Sequence, residues 1–360
     1  MLEKVKISRS QFAVLVMFFT IGNSILILPA ELAKEAKQDA WISALLGIGV
    51  GIALVALYSA LGNRYSSMTL AEYSEIILGK WLGKVVSILY FAYFFLLAAI
   101  VLRSMGDFLT TYELPHTPIV ATHILLLLVV IMALRLGLET FSRTTEFFFP
   151  WVLILSLMII FFIAPQIEFK NLQPMIEDGV KPIIRASIPF IGNPLLQLVV
   201  FLMIFPSINR TPGNKTGFLA GFLIGGILLF LFSLLTIFVL GVDLTARHLY
   251  PTYDLAKQIN VGNFVQRVEA ITSFLWFITI FIKLTICFYA SALCLAQTLK
   301  LKDYRIVIFP LAMIMLVLSL LVFPNTAYFL NIVSTTWPSV GLMYGLFLPL
   351  LLLIISIFKK

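Results

Sequence analysis

Charged residues are scarce in this sequence: Asp, Glu, Lys and Arg make up 12% of its 360 residues, whereas 61% are hydrophobic. A soluble domain is about a quarter charged and about half apolar. The shortage of charge therefore excludes a soluble globular domain and predicts an integral membrane protein. The net charge of +8 does not indicate a nucleic-acid partner, because the basic residues are scattered over short connections, where membrane orientation accounts for them.

Cysteine and histidine are also scarce, and this limits the chemistry that the chain can perform. Cys287 and Cys294 are separated by roughly 10 Å of helical rise, which excludes a disulfide between them. His116, His123 and His248 have no cysteine or carboxylate near them at ligand spacing. No Walker sequence, nucleophile elbow or dinucleotide fingerprint is present. We predict no metal site, no cofactor and no enzymatic activity.

Ten apolar runs are each about twenty residues long, the length that crosses a bilayer as a helix. They fall at about 10–32, 41–62, 84–106, 118–136, 145–164, 186–207, 216–240, 265–296, 304–323 and 329–357, and are called spans one to ten. The sequence predicts an all-α integral membrane protein with a single transmembrane domain over residues 1–360. The two long connections, 165–184 and 241–263, are expected to fold over one face as partial lids.

Lysine and arginine are unevenly divided between the two sides of this arrangement. The side that holds both chain ends also holds Arg64, Lys80, Lys84, Arg135 and Arg143, all in short connections. Short loops rich in Lys and Arg stay in the cytoplasm. We predict that both termini are cytoplasmic.

Spans one and six both carry helix-breaking residues. Span one contains Gly22-Asn23-Ser24, with Pro29 five residues on, and span six contains Pro189-Phe190-Ile191-Gly192-Asn193-Pro194. Irregular backbone survives in a bilayer only where it is buried in protein or lines a cavity. Breaks that open two five-span halves indicate an inverted repeat with a binding site between the breaks. The first repeat covers about 10–164 and the second about 186–323, with helix ten at about 329–357. For span one, a Gly/Ser packing notch is the alternative.

We predict a small amino-acid pocket between the two breaks. The ligand carboxylate would meet free N–H groups at Asn23, Ser24 and Ile25, because the N-terminal end of a half helix attracts anions. Its side chain would lie toward Tyr90 or Tyr93 of span three and toward Phe190 and Ile191, although aromatic core packing is the better explanation for either tyrosine alone. The candidate ligand-binding residues are Gly22, Asn23, Ser24, Ile25, Tyr90, Tyr93, Phe190, Ile191, Gly192 and Asn193.

Span eight carries a lysine, Lys283, in the middle of an apolar run. It shares a helix face with Thr279, Trp276 and Thr272. An ionisable group at that depth indicates a functional site, so Thr279 and Lys283 are candidates for ion or proton coupling. The alternative is a structural lysine that donates to carbonyls of Phe19, Thr20 or Gly22.

Two further charged groups lie at the outer ends of spans one and three. Arg103 and Asp107 are spaced i,i+4 on span three, and are expected to form a surface ion pair, which contributes little. If Glu31 of span one also faces them, the three would form an outer gate.

Several motifs together resemble one family, the spore germination permeases, which are the B subunits of bacterial nutrient-germinant receptors within the amino acid–polyamine–organocation superfamily. The motifs are Ile21-Gly22-Asn23-Ser24-Ile25-Leu26-Ile27-Leu28-Pro29, Gln38-Asp39-Ala40-Trp41-Ile42-Ser43, Leu78-Gly79-Lys80-Trp81-Leu82-Gly83-Lys84, Gly137-Leu138-Glu139 with Arg143, Tyr250-Pro251-Thr252-Tyr253-Asp254-Leu255-Ala256, Arg267-Val268-Glu269-Ala270, the stretch from Trp276 to Lys283, and Leu301-Lys302-Asp303-Tyr304-Arg305. They cover nearly the whole chain in the family's order. Each motif is weak alone, and together they are specific.

The resemblance implies ten helices in the LeuT-type 5+5 inverted-repeat fold with broken helices one and six. It also implies an A subunit and a lipoprotein C subunit as partners, in the inner membrane of a spore. In that fold a sodium ion can sit between spans one and eight, where the Lys283 ammonium would exclude it. The family typically has a second glycine where Ser24 stands, which puts the usual ligand in doubt.

Two functions agree with these features. The first is a receptor subunit that binds an amino acid or similar small nutrient and triggers germination with its partner subunits. The alternative is a proton-coupled amino-acid transporter. An intramembrane enzyme is disfavoured, because the spans lack clustered acid, base or metal ligands.

Overall fold

The computed structural model describes residues 6–209, 214–259 and 268–359, and over those ranges the chain is helical. The only β pairing among them is an isolated bridge between Ile7 and Ile208. The α-helices are Arg9–Ile21, Ser24–Ala36, Ala40–Arg64, Leu70–Leu78, Lys80–Phe108, Ile119–Leu136, Leu138–Ile163, Val180–Phe190, Asn214–Arg247, Pro251–Lys257, Val268–Thr298, Arg305–Leu321, Thr326–Asn331, Trp337–Gly341 and Leu348–Phe358. Short 3-10 helices are Lys37–Asp39, Ala164–Gln166, Phe169–Leu172, Leu196–Met203 and Phe205–Ser207, and π-helices are Leu109–Glu113, Ile191–Leu195, Ile332–Thr336 and Leu342–Phe347.

The described helices include eight that are long and apolar enough to cross a membrane. Two shorter apolar helices, Arg9–Ile21 and Arg305–Leu321, belong to the predicted spans one and nine. The number of spans therefore stays a prediction. Spans six and eight lie at the centre of the bundle. In the most apolar part of each, 89% is buried in the protein, against 22% for span five.

Span one is broken where the sequence predicts. A capping box begins its first helix, because Ser8 Oγ accepts from the Gln11 backbone N–H at 3.1 Å and the Gln11 side chain accepts from Ser8 N–H. The helix ends at Ile21, since Gly22 has φ 34° and ψ −134°, a conformation that glycine adopts at little cost. A second helix begins at Ser24 and continues through Pro29 to Ala36.

Span six is disrupted at the predicted residues, but in another form. Its α-helix ends at Phe190, a π turn covers Ile191–Leu195, and a 3-10 helix continues over Leu196–Met203. Pro194 removes a backbone donor in this region, and the backbone hydrogen bonds change from α spacing to π and then 3-10 spacing. The helix therefore stays continuous, whereas span one opens.

Glycines of span seven set the position of the first half of span one. Gly221 and Gly225 lie against the backbone of Ala13 and Met17, where a Cβ on either glycine would come within 3 Å of a carbonyl oxygen. Glycines spaced by four residues let two membrane helices approach closely. This packing leaves the break in span one facing spans six and eight.

The two predicted lids pack against the second half of span one and the turn that follows it. In the first, the Ile176 backbone N–H donates to the Asp39 carboxylate at 2.9 Å, and Lys37 pairs with Asp178 at 2.7 Å. In the second, helix Pro251–Lys257 places Thr252 so that its hydroxyl donates to the Ile25 carbonyl at 3.0 Å. Residues 260–263 of this second lid lie outside the described ranges.

The expected surface pair of Arg103 and Asp107 is wrong, because the structure buries both side chains. Arg103 Nε donates to Asp107 Oδ2 at 3.0 Å, and Arg103 also donates to the Phe323 carbonyl at 2.6 Å. The hydroxyl of Thr326 donates to the other Asp107 oxygen. Glu31 is not part of this group, because its described partner is Asn193. The pair thus joins span three to the end of span nine and to the beginning of span ten.

Changing Arg103 to Met is expected to destabilise the protein by about 3 kcal/mol, because it leaves the Asp107 charge buried and unpaired. Arg143→Met is the matched control, since Arg143 and Glu139 form an i,i+4 pair that is largely exposed and contributes about 0–1 kcal/mol. Thermal unfolding in lipid nanodiscs measures both variants. Equal midpoints for the two variants would contradict a stabilising role for the buried pair.

Candidate functional site

A small cavity lies between the break in span one and the disrupted part of span six. We call it the inner cavity; it is lined by Asn23, Ser24, Ile27, Leu28, Leu97, Ile100, Asn193, Gln197 and Val333. Its volume is about 10 Å³, room for about one water molecule. The structure therefore shows the two breaks closed against each other.

The inner cavity has polar groups that lack partners. Ser24 Oγ and Gln197 Oε1 are buried and have no hydrogen-bond partner. A buried polar group without a partner costs about 1–3 kcal/mol. A small polar ligand that supplied hydrogen bonds here would recover that free energy.

Span eight closes the other side of the break. Thr279 Oγ1 donates to the Trp276 carbonyl at 3.0 Å and lies 3.4 Å from the Gly22 carbonyl oxygen. Lys283 is 1% exposed, and its ammonium lies 5.1 Å from the centre of the Phe19 ring. Within the described residues, Lys283 donates no hydrogen bond to the carbonyls of Phe19, Thr20 or Gly22. The lysine stem packs on Gly22 and the charge faces an aromatic ring, an arrangement that suits a cation–π contact.

A larger cavity opens on the side of the protein away from the chain ends. We call it the vestibule; its volume is about 450 Å³, and it is lined by Ile27, Ala30, Glu31, Lys34, Glu35, Pro189, Arg247, His248, Leu249, Ala327, Leu330, Asn331, Ser334 and Thr335. Asn193 Nδ2 donates to Glu31 Oε2 at 3.0 Å. Since Glu31 lines the vestibule and Asn193 lines the inner cavity, this bond lies between the two.

Four of the predicted ligand-binding residues lie near the break in span one. Asn23 and Ser24 line the inner cavity together with Asn193 of span six. Gly22 lies beside them and faces Lys283. The Ile25 side chain is buried and its carbonyl accepts from Thr252.

The two tyrosines of span three do not line the inner cavity. The Tyr90 hydroxyl donates to the Tyr344 carbonyl at 3.0 Å, within the π-helix Leu342–Phe347. Tyr93 stacks on Trp337 and Tyr344, with ring centroids 5.5 and 4.7 Å away. Both tyrosines therefore face span ten.

The remaining predicted residues of span six face other helices. A Cβ on Gly47 of span two would overlap the Phe190 ring, so that Phe190 fills a notch in span two. A Cβ on Gly192 would lie 2.7 Å from Pro338 of span ten. Ile191 is half-buried and packs against the core. Their part in ligand binding stays a prediction.

The sequence prediction missed two polar residues of this region. Gln197 follows Asn193 by four residues and so lies on the same face of span six, which is a detectable signal. Glu31 follows Ser24 by seven residues, again on one helix face, but it was considered only as a partner of Arg103.

The chain matches the model of a protein family described as "Spore germination protein" over residues 6–327. It is 32% identical to spore germination protein KB of Bacillus subtilis (strain 168), with 100% of this chain and 96% of that protein aligned. It is 27% identical to spore germination protein YndE of the same strain, with 99% and 97% aligned.

Solved transporter structures share the fold. MhsT in complex with L-phenylalanine has a TM-score of 0.71 at 13% identity and covers 95% of this chain and 89% of its own. Mhp1, a nucleobase-cation-symport-1 family transporter, has a TM-score of 0.62 at 13% identity and covers 92% and 75%. These similarities confirm the LeuT-type fold.

Proposed function

The chain belongs to the spore germination protein family, and from this premise we propose that it is the membrane subunit of a spore nutrient receptor. It binds an amino acid or similar small nutrient and triggers germination together with A and C partner subunits. It resides in the inner membrane of the spore, with both termini in the cytoplasm. The multi-pass architecture and the names of its relatives support this proposal.

The observation that carries the proposal is the inner cavity. Ser24 Oγ and Gln197 Oε1 are buried without partners, and both residues line the same cavity at the junction of spans one and six. Purely structural packing would fill such a junction with apolar groups or pair its polar atoms. The unpaired groups therefore favour a ligand site over a packing notch.

A nutrient needs more room than the closed cavity provides, so binding requires spans one and six to move apart. The ligand carboxylate would then meet the backbone N–H groups of Asn23, Ser24 and Ile25, at the N-terminal end of the second half helix, which attracts negative charge. The side chains of Asn193 and Gln197 would contact it from span six.

Transport is the alternative function, and the fold of the solved transporters favours it. Lys283 beside the break would then exchange a proton in step with the substrate. Uptake of radiolabelled amino acids into liposomes distinguishes the two functions. A receptor subunit binds the nutrient without accumulating it, whereas a transporter accumulates it in proportion to the proton gradient.

Changing Ser24 to Leu is expected to abolish the nutrient response of spores while the protein level stays intact. The larger side chain would fill a cavity of about 10 Å³ and remove the hydroxyl, and overpacking of this kind costs about 1–3 kcal/mol. The measurement is germination of spores against nutrient concentration, with immunoblots of the protein.

Ser24→Ala is the matched control for that experiment, because it removes the hydroxyl and leaves the space open. We expect spores with this variant to respond, at a higher nutrient concentration. An unaltered dose–response for Ser24→Leu would count against a ligand at this junction.

A further inference from the structure

Glu31 is a buried carboxylate with half of its hydrogen-bonding capacity unused. The side chain is 7% exposed and lines the vestibule. Its Oε2 accepts from Asn193 at 3.0 Å, whereas Oε1 is buried and has no partner. An ionised carboxylate can accept several hydrogen bonds, so the site is incomplete as it stands.

No cation in the described part of the chain supplies the missing partner. Lys34 and Arg247 line the same vestibule, but both are exposed, and no described ion pair joins either one to Glu31. Glu35, one turn beyond Glu31, pairs with Arg185 at 3.7 Å and is exposed. A buried charge without a counter-charge is costly, and a cation from outside would remove that cost.

We propose that Glu31 binds the ammonium group of the nutrient, so that the nutrient is an amino acid or another primary amine and not a sugar or a nucleoside. This inference rests on the proposed receptor function and narrows the class of its ligand. A primary ammonium carries three donors and would reach the buried Oε1 once the vestibule lining opens around it. A hydrogen bond between two charged groups is about twice as strong as a neutral one.

The walls of the vestibule favour an organic cation over a metal ion. The vestibule lining includes the apolar residues Ile27, Ala30 and Pro189, and its other possible metal ligands, besides Glu31, are Glu35 and His248. The described residues contain no group of three or more His, Cys, Asp or Glu side chains placed to hold a metal. At the rim, Lys34 and Arg247 attract the carboxylate of an amino acid.

Binding at Glu31 also provides a route inward. With its three donors, the ammonium can bond both Glu31 oxygens and so displace Asn193 Nδ2 from Oε2. Asn193 lines the inner cavity. Once Asn193 is released, the bond that separates the vestibule from the inner cavity is gone. Nutrient recognition at Glu31 is thereby linked to separation of spans one and six.

The test is ligand binding by full-length protein in lipid nanodiscs, followed by thermal unfolding at rising ligand concentration. The probes are the standard L-amino acids, with glucose and inosine as nutrients that lack an ammonium group. For the amino acid that binds, the N-acetylated and deaminated derivatives are tested as well. We expect the free amino acid to raise the unfolding midpoint and both derivatives to fail.

The decisive variant is Glu31→Gln, because the new side chain still accepts from Asn193 but has lost the charge. We expect its affinity for the amino acid to fall at least tenfold, which corresponds to about 1.4 kcal/mol. Its ligand-free midpoint should be unchanged or higher, which shows that folding is intact. Glu139→Gln is the matched control, because Glu139 pairs with Arg143 and does not line the vestibule, and it should keep the wild-type affinity.

The outcomes separate this inference from the proposed function. If an amino acid binds Glu31→Gln as tightly as wild type, or if only glucose or inosine binds, the receptor function stands and the role of Glu31 is overturned. If none of the nutrients binds, both are overturned.

Discussion

Replacing Lys283 by Met is expected to abolish the nutrient response without lowering the unfolding temperature. Methionine keeps the length of the stem that packs on Gly22 but removes the charge that lies over the Phe19 ring. Because the described part of the chain provides no anion next to this ammonium, its burial is unfavourable, and an apolar replacement of similar volume is often neutral or stabilising. Loss of function at unchanged stability would therefore identify the charge as a functional group.

Lys300→Met is the control, since Lys300 is exposed just after the same helix. A fall of several degrees in the midpoint of Lys283→Met, together with loss of response, would instead indicate a structural lysine. The same assay includes replacement of sodium by choline. Two cations a few ångströms apart repel by several kcal/mol, so we expect the wild-type response to be independent of sodium. A response that disappears in choline would contradict this role of Lys283.

Replacing Gly22 by Ala is expected to destabilise the protein by about 3–5 kcal/mol and to abolish the response. Two effects combine at this position. Gly22 has φ 34°, and a Cβ there would lie 2.3 Å from Lys283 Cδ and 3.1 Å from the Phe19 carbonyl oxygen. The variant must therefore displace the lysine stem as well as strain the backbone, and the break in span one would lose its shape.

Gly49→Ala is the matched control for Gly22→Ala. Gly49 lies inside helix Ala40–Arg64, and a Cβ added there meets nothing within 4 Å. Alanine stabilises a helix by roughly 0.5–1 kcal/mol relative to glycine, so the control should unfold at the same or a higher temperature. Thermal unfolding in nanodiscs compares the two variants, and equal midpoints would contradict a strained, close-packed Gly22.

The architecture could be predicted because its signals are local. An apolar run of about twenty residues indicates a span without reference to other parts of the chain, and Gly22 ends a helix through its own backbone. Helix Leu70–Leu78 was missed because it is too short for a span, although its capping box of Thr69 and Glu72 is visible in the sequence. The form of the disruption in span six could not be predicted, because proline permits either an open break or a change of helix type.

The site was harder to predict because partners from distant segments decide which way a side chain faces. Tyr90 has the spacing of a cavity residue, yet a carbonyl in the π-helix of span ten takes its hydroxyl. Arg103 and Asp107 resembled a surface pair because the sequence does not show that Phe323 and Thr326 cover them. Asn23, Ser24 and Asn193 line one cavity, which the matching positions of the breaks led us to expect, and their role in ligand binding stays a prediction.

Spans six and ten are packed backbone to backbone where their irregular helices meet. A Cβ on Gly345 would lie 2.4 Å from the Leu196 carbonyl oxygen, so the two backbones touch. The Tyr58 hydroxyl lies 2.6 Å from the Gly345 carbonyl oxygen and 3.3 Å from the Leu196 carbonyl oxygen, and so contacts both spans at the same point. We therefore expect a shift of span six at Asn193 to displace span ten. Only 28% of the most apolar part of span ten is buried in the protein. We therefore expect a ligand between spans one and six to change the surface that span ten presents to its surroundings.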